Sequence, residues 1–481
     1  MNKRYVVWLC ALFVLFDLGY SYIQNYQLPL EGDLAPIVLP SFWYSQVLQD
    51  PFGWAVLAKN EVYAGPNRYF AHAAMVGYFK SVPLWLQRFT NPISSVYMAC
   101  ALFKTAVQAL LLYLLAVYCT GAQRLTDRRL WLPAALLVPL FQTAGYNGQM
   151  GVIDHSITYT FFYAFPLALL LVLLLPFYRA AYGRQPLRLS WVALPLIAAL
   201  MVVLAFNGPI VTGAVLVLGV SIGLYWIKRQ WPTAQVRSYP GWWLRQAKQV
   251  PLVAVLLLGL FVMLCLYSLY IGRNNSENLT ATLPLWERYK LVPQGIFRQL
   301  TGKLGFPLLV LIGLVNAQLI RRFLPPSAAS SRLLRILQLL GLFTLIYILL
   351  LPLGGYRSYR PLILRRDSIL PIILGLMYFY GASTYYLLQH LPGRPRRWYM
   401  GGLVLFGAIF MNADKLRMTD NNQCERAALQ QLAQASEPIV HLTSDCTVMA
   451  WEKITDPLQS DNNAQLLELW GVTKGKKLYY Q

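Results

Sequence analysis

Two acids one residue apart, Glu31 and Asp33, sit in the stretch Tyr26-Gln27-Leu28-Pro29-Leu30-Glu31-Gly32-Asp33, just after the first apolar run. Carboxylates so spaced, among Pro and Gly at a membrane boundary, can point into one space. There, one could take a proton from a hydroxyl nucleophile, or the pair could hold a divalent cation such as Mg or Mn. The plainer reading is a solvated loop. Far downstream, the segment Gly354-Gly355-Tyr356-Arg357-Ser358-Tyr359-Arg360-Pro361-Leu362-Ile363-Leu364-Arg365-Arg366-Asp367 gathers arginines and tyrosines. Guanidinium forks take phosphate oxygens two at a time, and Tyr356 and Tyr359 add hydroxyls. Such a cluster suits the phosphate of a lipid carrier; it also suits lipid headgroups, or a local ion pair such as Arg366 with Asp367. A third candidate is Asp154 beside His155 in the short segment 147–156. That pair could orient a substrate or move a proton, or simply form a polar turn. The histidines show no metal-ligand spacing, and no P-loop, dinucleotide fingerprint or nucleophile elbow occurs.

The elements that must position these groups are membrane helices. The chain has 481 residues, of which 57% are hydrophobic and only 12% charged, against about 25% charged in soluble domains. Apolar runs near twenty residues recur along it, each long enough to cross roughly 30 Å of hydrocarbon as a helix. The first, from Tyr5 to about Ile23 behind Lys3 and Arg4, resembles a signal peptide. It lacks a small-residue cleavage site, so a retained helix is expected. Further spans are predicted at 93–120, 130–146, 156–178, 191–206, 210–227, 250–272, 304–320, 333–353, 368–390 and 398–413. The expected fold is an all-α polytopic membrane protein of about eleven transmembrane helices. A tight turn at Asn207-Gly208-Pro209 reverses the chain between two of them.

Net charge is +22, but its distribution speaks for membrane orientation rather than nucleic acid. The segments assigned to the cytoplasm carry many Lys and Arg and a single acid, Asp127, which is the positive-inside pattern. The N-terminus is then inside and the C-terminus outside. Three outer loops are large enough to build a site: 24–92, 273–303 and the Arg-rich 354–367. Surface-lying helices are expected in the first, over Tyr69 to Phe89, and in the second around Trp286. Residues 1–413 form the membrane domain and 414–481 a small α/β tail with a helix over Gln423 to Ala435 and a strand over Ile439 to Ser444. The tail is marginal alone and is expected to dock on the outer loops. An extracytoplasmic tail permits, without requiring, a disulfide between Cys424 and Cys446. Within the spans, Asp17 and Lys104 are candidates to pair with each other.

One span, a long outer loop opening on an acidic motif, a surface-lying helix, many further spans and a short tail together resemble the GT-C superfamily of membrane glycosyltransferases. The resemblance covers the whole chain in topology; in motif it rests on Glu31-Gly32-Asp33 and the Tyr-Arg-rich loop. It implies that Asp33 or Glu31 deprotonates an acceptor hydroxyl while Arg357, Arg360, Arg365 and Arg366 stabilise a departing polyprenyl phosphate. The commonest pattern has adjacent acids; here Gly32 stands between them, so either carboxylate is a candidate. Implied partners are a lipid-linked sugar donor, a glycan, lipid or protein acceptor, and membrane lipids, without nucleic acid. Two other readings compete. An O-antigen polymerase or ligase would place its main outer loops in the later half. A lipid-linked glycan flippase or other transporter would show paired repeats and charges at the midplane. The loop charge and the abundant Tyr and Trp suggest a bacterial inner membrane.

Overall fold

The computed structural model describes residues 3–122, 124, 126–183, 187, 189–230, 251–278, 283–358 and 360–481. Tyr359 and the basic segment 231–250 lie outside the described residues. Helices dominate, and among the described residues seven are long and apolar enough to cross a membrane: Arg4–Tyr26, Pro92–Thr120, Ile157–Tyr182, Leu252–Gly272, Gly305–Phe323, Ala328–Gly354 and Leu370–His390. At 1.5 Å per residue, the shortest spans close to the hydrocarbon thickness. A further apolar pair, Ala193–Ala205 and Pro209–Tyr225, bends by 116° at the Asn207-Gly208-Pro209 break. Gly208 takes φ +115 there, a conformation that favours glycine.

Among the described residues, seven of the expected eleven spans form single helices of that length and hydropathy, or eight spans with the bent pair counted as one. The run 130–146 forms only the short helix Trp131–Leu137 and a single 3-10 turn, Val138–Leu140. Pro139 cannot donate a backbone hydrogen bond, and the chain unwinds soon after it. The unwound backbone is held by buried amides: Asn147 Nδ2 donates to the carbonyls of Gln142 and Ile153 at 3.0 and 2.7 Å. Irregular backbone at such depth is tolerated when protein encloses it. Helix Gly393–Ala413 is long enough, but Arg394, Arg396 and Arg397 fill its first turns and shorten its apolar stretch.

The first long loop folds into four helices, Leu34–Val38, Phe42–Gln49, Trp54–Lys59 and Tyr69–Leu86. The last buries a row at helical spacing, Ala71, Met75, Phe79 and Leu86, and exposes Trp85. Helix Leu285–Thr301 buries Val292 and Gly295 while Trp286 and Phe297 stay exposed. That division is the one an interfacial helix needs.

The tail contains helix Gln423–Gln434, a 3-10 turn, helix Asp461–Leu469 and two short strands. These strands, β1 (Ile439–His441) and β2 (Leu478–Tyr480), pair in parallel with Ile439 opposite Leu478. The strand is thus shorter than Ile439 to Ser444, because only three residues find partners. Cys424 and Cys446 are joined, with Cα atoms 6.1 Å apart. The tail does dock: Trp470, Leu432 and Tyr479 share one buried core with Leu34 and Phe79 of the first loop and Tyr97 of the second span. Trp470 Nε1 donates to the Phe79 carbonyl at 2.9 Å. Trp470→Ala should remove about 3–5 kcal/mol, seen as a lower thermal midpoint and earlier proteolysis of the tail. Trp470→Phe should retain most of that stability.

Candidate functional site

The tail delivers the first acid to its place. Asn422 Nδ2 donates to the carbonyls of Tyr26 and Leu28 at 2.8 and 3.2 Å, and its amide donates to Gln27 at 2.7 Å. The Leu30 amide donates to Glu425 Oε2 at 2.8 Å. So held, Glu31 turns inward to the start of helix Ile157–Tyr159, where the Thr158 amide donates to its Oε1 at 2.7 Å. A helix N-terminus has unpaired N–H groups and favours a carboxylate. The helix continues through a π turn, Thr160–Ala164, a distortion common near functional sites. Glu31 is buried, and its Oε2 has no hydrogen-bond partner. Burial pushes its carboxyl up to about 8, with the Asp33 charge adding and the Thr158 donor and Lys104 opposing.

Asp33 stands in different surroundings. Its Oδ1 accepts from Trp451 Nε1 at 3.1 Å. Burial raises its carboxyl and the Glu277 charge adds, while the Trp451 donor, Arg360 and Arg357 pull the other way. Asp33 does not line the cavity that Glu31 lines.

That cavity, about 640 Å³ in volume, is lined by Glu31, Asp154, His155, Arg360, Arg365 and Arg366 among others. Arg366 donates through Nε and Nη2 to Asp154 Oδ2, both at 2.9 Å, so its partner is not the adjacent Asp367. Neighbouring side chains on such a turn need not face each other, and Asp154 is brought in from another segment. Gly151, at φ +36, lets the arginine pass: any Cβ there would collide with the Arg366 side chain. Asp367 is taken instead by Arg365, at 3.0 and 2.6 Å, with Arg360 at 3.6 Å. Arg360 also donates to the Tyr159 hydroxyl and lies over its ring at 5.1 Å. Burial and the Arg365 charge lower the Arg360 guanidinium to about 10, which leaves it a cation near neutral pH.

The remaining residues anticipated from sequence fall elsewhere. Arg357 pairs with Glu277, which also receives Arg68 at 3.8 Å, and does not line the cavity. Tyr356 is half-buried and likewise away from the cavity wall. His155 lines it, but its Nε2 donates to the Thr143 carbonyl at 2.5 Å, and burial lowers its pKa. Lys104 is not the partner of Asp17: its Nζ donates to the His155 carbonyl. Among the described residues, no three His, Cys, Asp or Glu side chains gather to hold a metal ion.

Several lining residues had not been singled out: Arg298 and Gln299 from the amphipathic helix, Tyr159, Glu425 and Trp451. The signal for Arg298 was present, a base on a surface helix of an outer loop. For Glu425 there was none, since its three donors are the Leu30 and Met449 amides and the Tyr97 hydroxyl. The cavity thus joins a carboxyl with an open oxygen to a wall of guanidinium groups.

The raised carboxyls have a consequence for stability. Glu31, at about 8, and Glu425, pushed by burial to about 7, keep protons in the folded chain that the unfolded chain has lost. Stability therefore falls as pH rises through this range. Buried His72 is lowered to about 3, and its opposite contribution is complete once pH exceeds the ordinary histidine value. From pH 7 to 8 the thermal midpoint of the wild type should fall, and the fall should be smaller in Glu31→Gln; equal slopes would contradict the assignment. Comparison with protein-family models, curated proteins and solved structures finds no match for this chain.

Proposed function

We propose that this chain is a GT-C-like glycosyltransferase of a bacterial inner membrane, moving a sugar from a polyprenyl-phosphate carrier to an acceptor hydroxyl on the outer face. The observation that carries the reading is the shared cavity, in which Glu31, with its unpaired Oε2, lies among Arg360, Arg365 and Arg366. Arg365 and Arg366 each spend Nε and Nη2 on an aspartate, leaving Nη1 for a ligand. Arginines held in place before the ligand arrives stabilise developing negative charge without reorganisation. In the proposed step the acceptor oxygen bonds to the anomeric carbon, and the carbon–oxygen bond to phosphate breaks. Its electron pair leaves with the phosphate. The hydroxyl proton passes to a carboxylate, Glu31 by its place in the cavity or Asp33 by the family resemblance. A base whose pKa lies near the working pH suits that role.

The location fits the chemistry. Loop segments 24–92, 147–156, 354–367 and the tail all contribute to or adjoin the cavity, and these are the segments that charge assigns to the outer side, with the N-terminus inside and the C-terminus outside. A donor must reach that side on lipid, because its sugar cannot arrive as a cytoplasmic nucleotide. The acceptor is a glycan, lipid or protein hydroxyl.

Transfer from radiolabelled polyprenyl-phosphate sugars, assayed with the full chain in detergent, tests this. Glu31→Gln should lower turnover about 100-fold or more, and Arg360→Ala should do so with folding retained. If Asp33→Asn alone abolishes turnover while Glu31→Gln does not, the base is Asp33. Wild-type protein that moves intact lipid-linked glycan across vesicles without forming a new glycosidic bond would favour the flippase.

A further inference from the structure

One aromatic side chain in the tail is placed as no packing residue would be. Trp451 is 59% exposed, whereas Trp470 in the same domain is wholly buried. Trp451 belongs to the docked tail and not to an apolar span. It lines the cavity, as do Thr447 and Asp420. Its ring is also fixed. The indole N–H is committed to Asp33 Oδ1 at 3.1 Å. At that same edge the residue is packed so tightly on the first loop that a Cβ at Gly32 would come to 2.7 Å from Cδ1 and 2.9 Å from the Trp451 amide nitrogen.

We infer that Trp451 and Asp33 form a carbohydrate subsite, the indole face taking the C–H face of a sugar ring and the carboxylate taking a hydroxyl at its edge. A sugar ring is amphipathic in the way this site is. Its axial C–H bonds present a weakly positive apolar face, which the negative face of an aromatic ring attracts. Its equatorial hydroxyls seek acceptors and donors at the rim. Asp33 Oδ2, beside the indole-bonded oxygen, and the Asp420 carboxylate supply such acceptors. Holding the indole before the sugar arrives removes the entropy cost of ordering it on binding. The indole face and the carboxylate suit the ring of a sugar and not its phosphate.

This subsite rests on the transfer reading only for the question of which sugar it holds, donor or acceptor. Saturation-transfer NMR on the full chain in nanodiscs tests it with two probe sets: methyl glycosides of common hexoses, and citronellyl-phosphate esters of the same sugars. Wild type should transfer saturation to ring C–H protons in at least one set. Trp451→Ala should weaken that binding tenfold or more, Asp33→Asn should weaken it, and Trp451→Phe should retain it. The set that depends on Trp451 identifies the source, free glycosides meaning the acceptor and phosphate esters the donor. Silence of both sets with folded wild type overturns the proposal, as does undiminished binding in Trp451→Ala. Should that variant unfold, loss of binding in Trp451→Phe together with retention in Asp33→Asn overturns it. Sugar binding without any turnover would remove the transferase and leave the subsite standing.

Discussion

One buried carboxylate holds the candidate site together. Glu425 accepts from the Leu30 amide and the Tyr97 hydroxyl on one oxygen, at 2.8 and 2.7 Å, and from the Met449 amide on the other, at 2.9 Å. An enclosed carboxyl without partners is costly, and that cost is offset only when all three donors are in place. The donors come from the first loop, the second span and the tail, so their assembly is enforced together. Leu30 precedes Glu31, and Met449 lies two residues before Trp451; the clamp thus fixes the cavity's carboxyl and its indole relative to each other. The Cys424–Cys446 bond brackets the same clamp, tying the residue before Glu425 to the stretch that carries Met449 and Trp451.

The guanidinium wall is ordered by the same logic with opposite sign. Asp367 fixes Arg365 and draws Arg360, and Asp154 fixes Arg366. These pairs are only partly shielded from solvent, so their value lies less in stability than in aim. Four lining arginines, counting Arg298, stand against the lining Asp154 and Asp420 and against Asp367, which pairs with Arg365, while burial favours the neutral forms of Glu31 and Glu425. The surplus is positive, which is what a phosphate-bearing ligand of the proposed kind would answer.

Much of this could be read from the chain, and the failures have physical causes. Long apolar runs announced the membrane helices because length and composition suffice for a span. The run 130–146 reads as one helix by composition, whereas Pro139 and buried amides at Gln142 and Asn147 dictate an unwound path in its second half. The break at Asn207-Gly208-Pro209 was legible, since Gly and Pro state their backbone needs locally. The first loop meets that break through the Phe70 amide, which donates to the Phe206 carbonyl at 3.2 Å. Ion pairing was not legible: Arg366 finds Asp154 across 212 positions of sequence, and Lys104 finds a backbone carbonyl in place of Asp17. Partners so distant leave no local pattern.

The glycine between the two acids shows how a motif acquires its spacing. Adjacent acids would place a side chain where Gly32 now meets the ring and backbone of Trp451. The tail could not then approach closely enough for the indole to reach Asp33. With glycine there, the chain carries one carboxyl inward to the Thr158 amide and the next outward to the Trp451 N–H. The two acids are therefore unequal by construction. Glu31, enclosed at a helix N-terminus, has its carboxyl pushed up to about 8 by burial and has an oxygen to offer inside the cavity. Asp33, under the influence of Arg360 and Arg357, is tied to the platform at its side. A pair that differs so much in surroundings is suited to two tasks, a proton transfer and the orientation of a hydroxyl-bearing ring, rather than to sharing one.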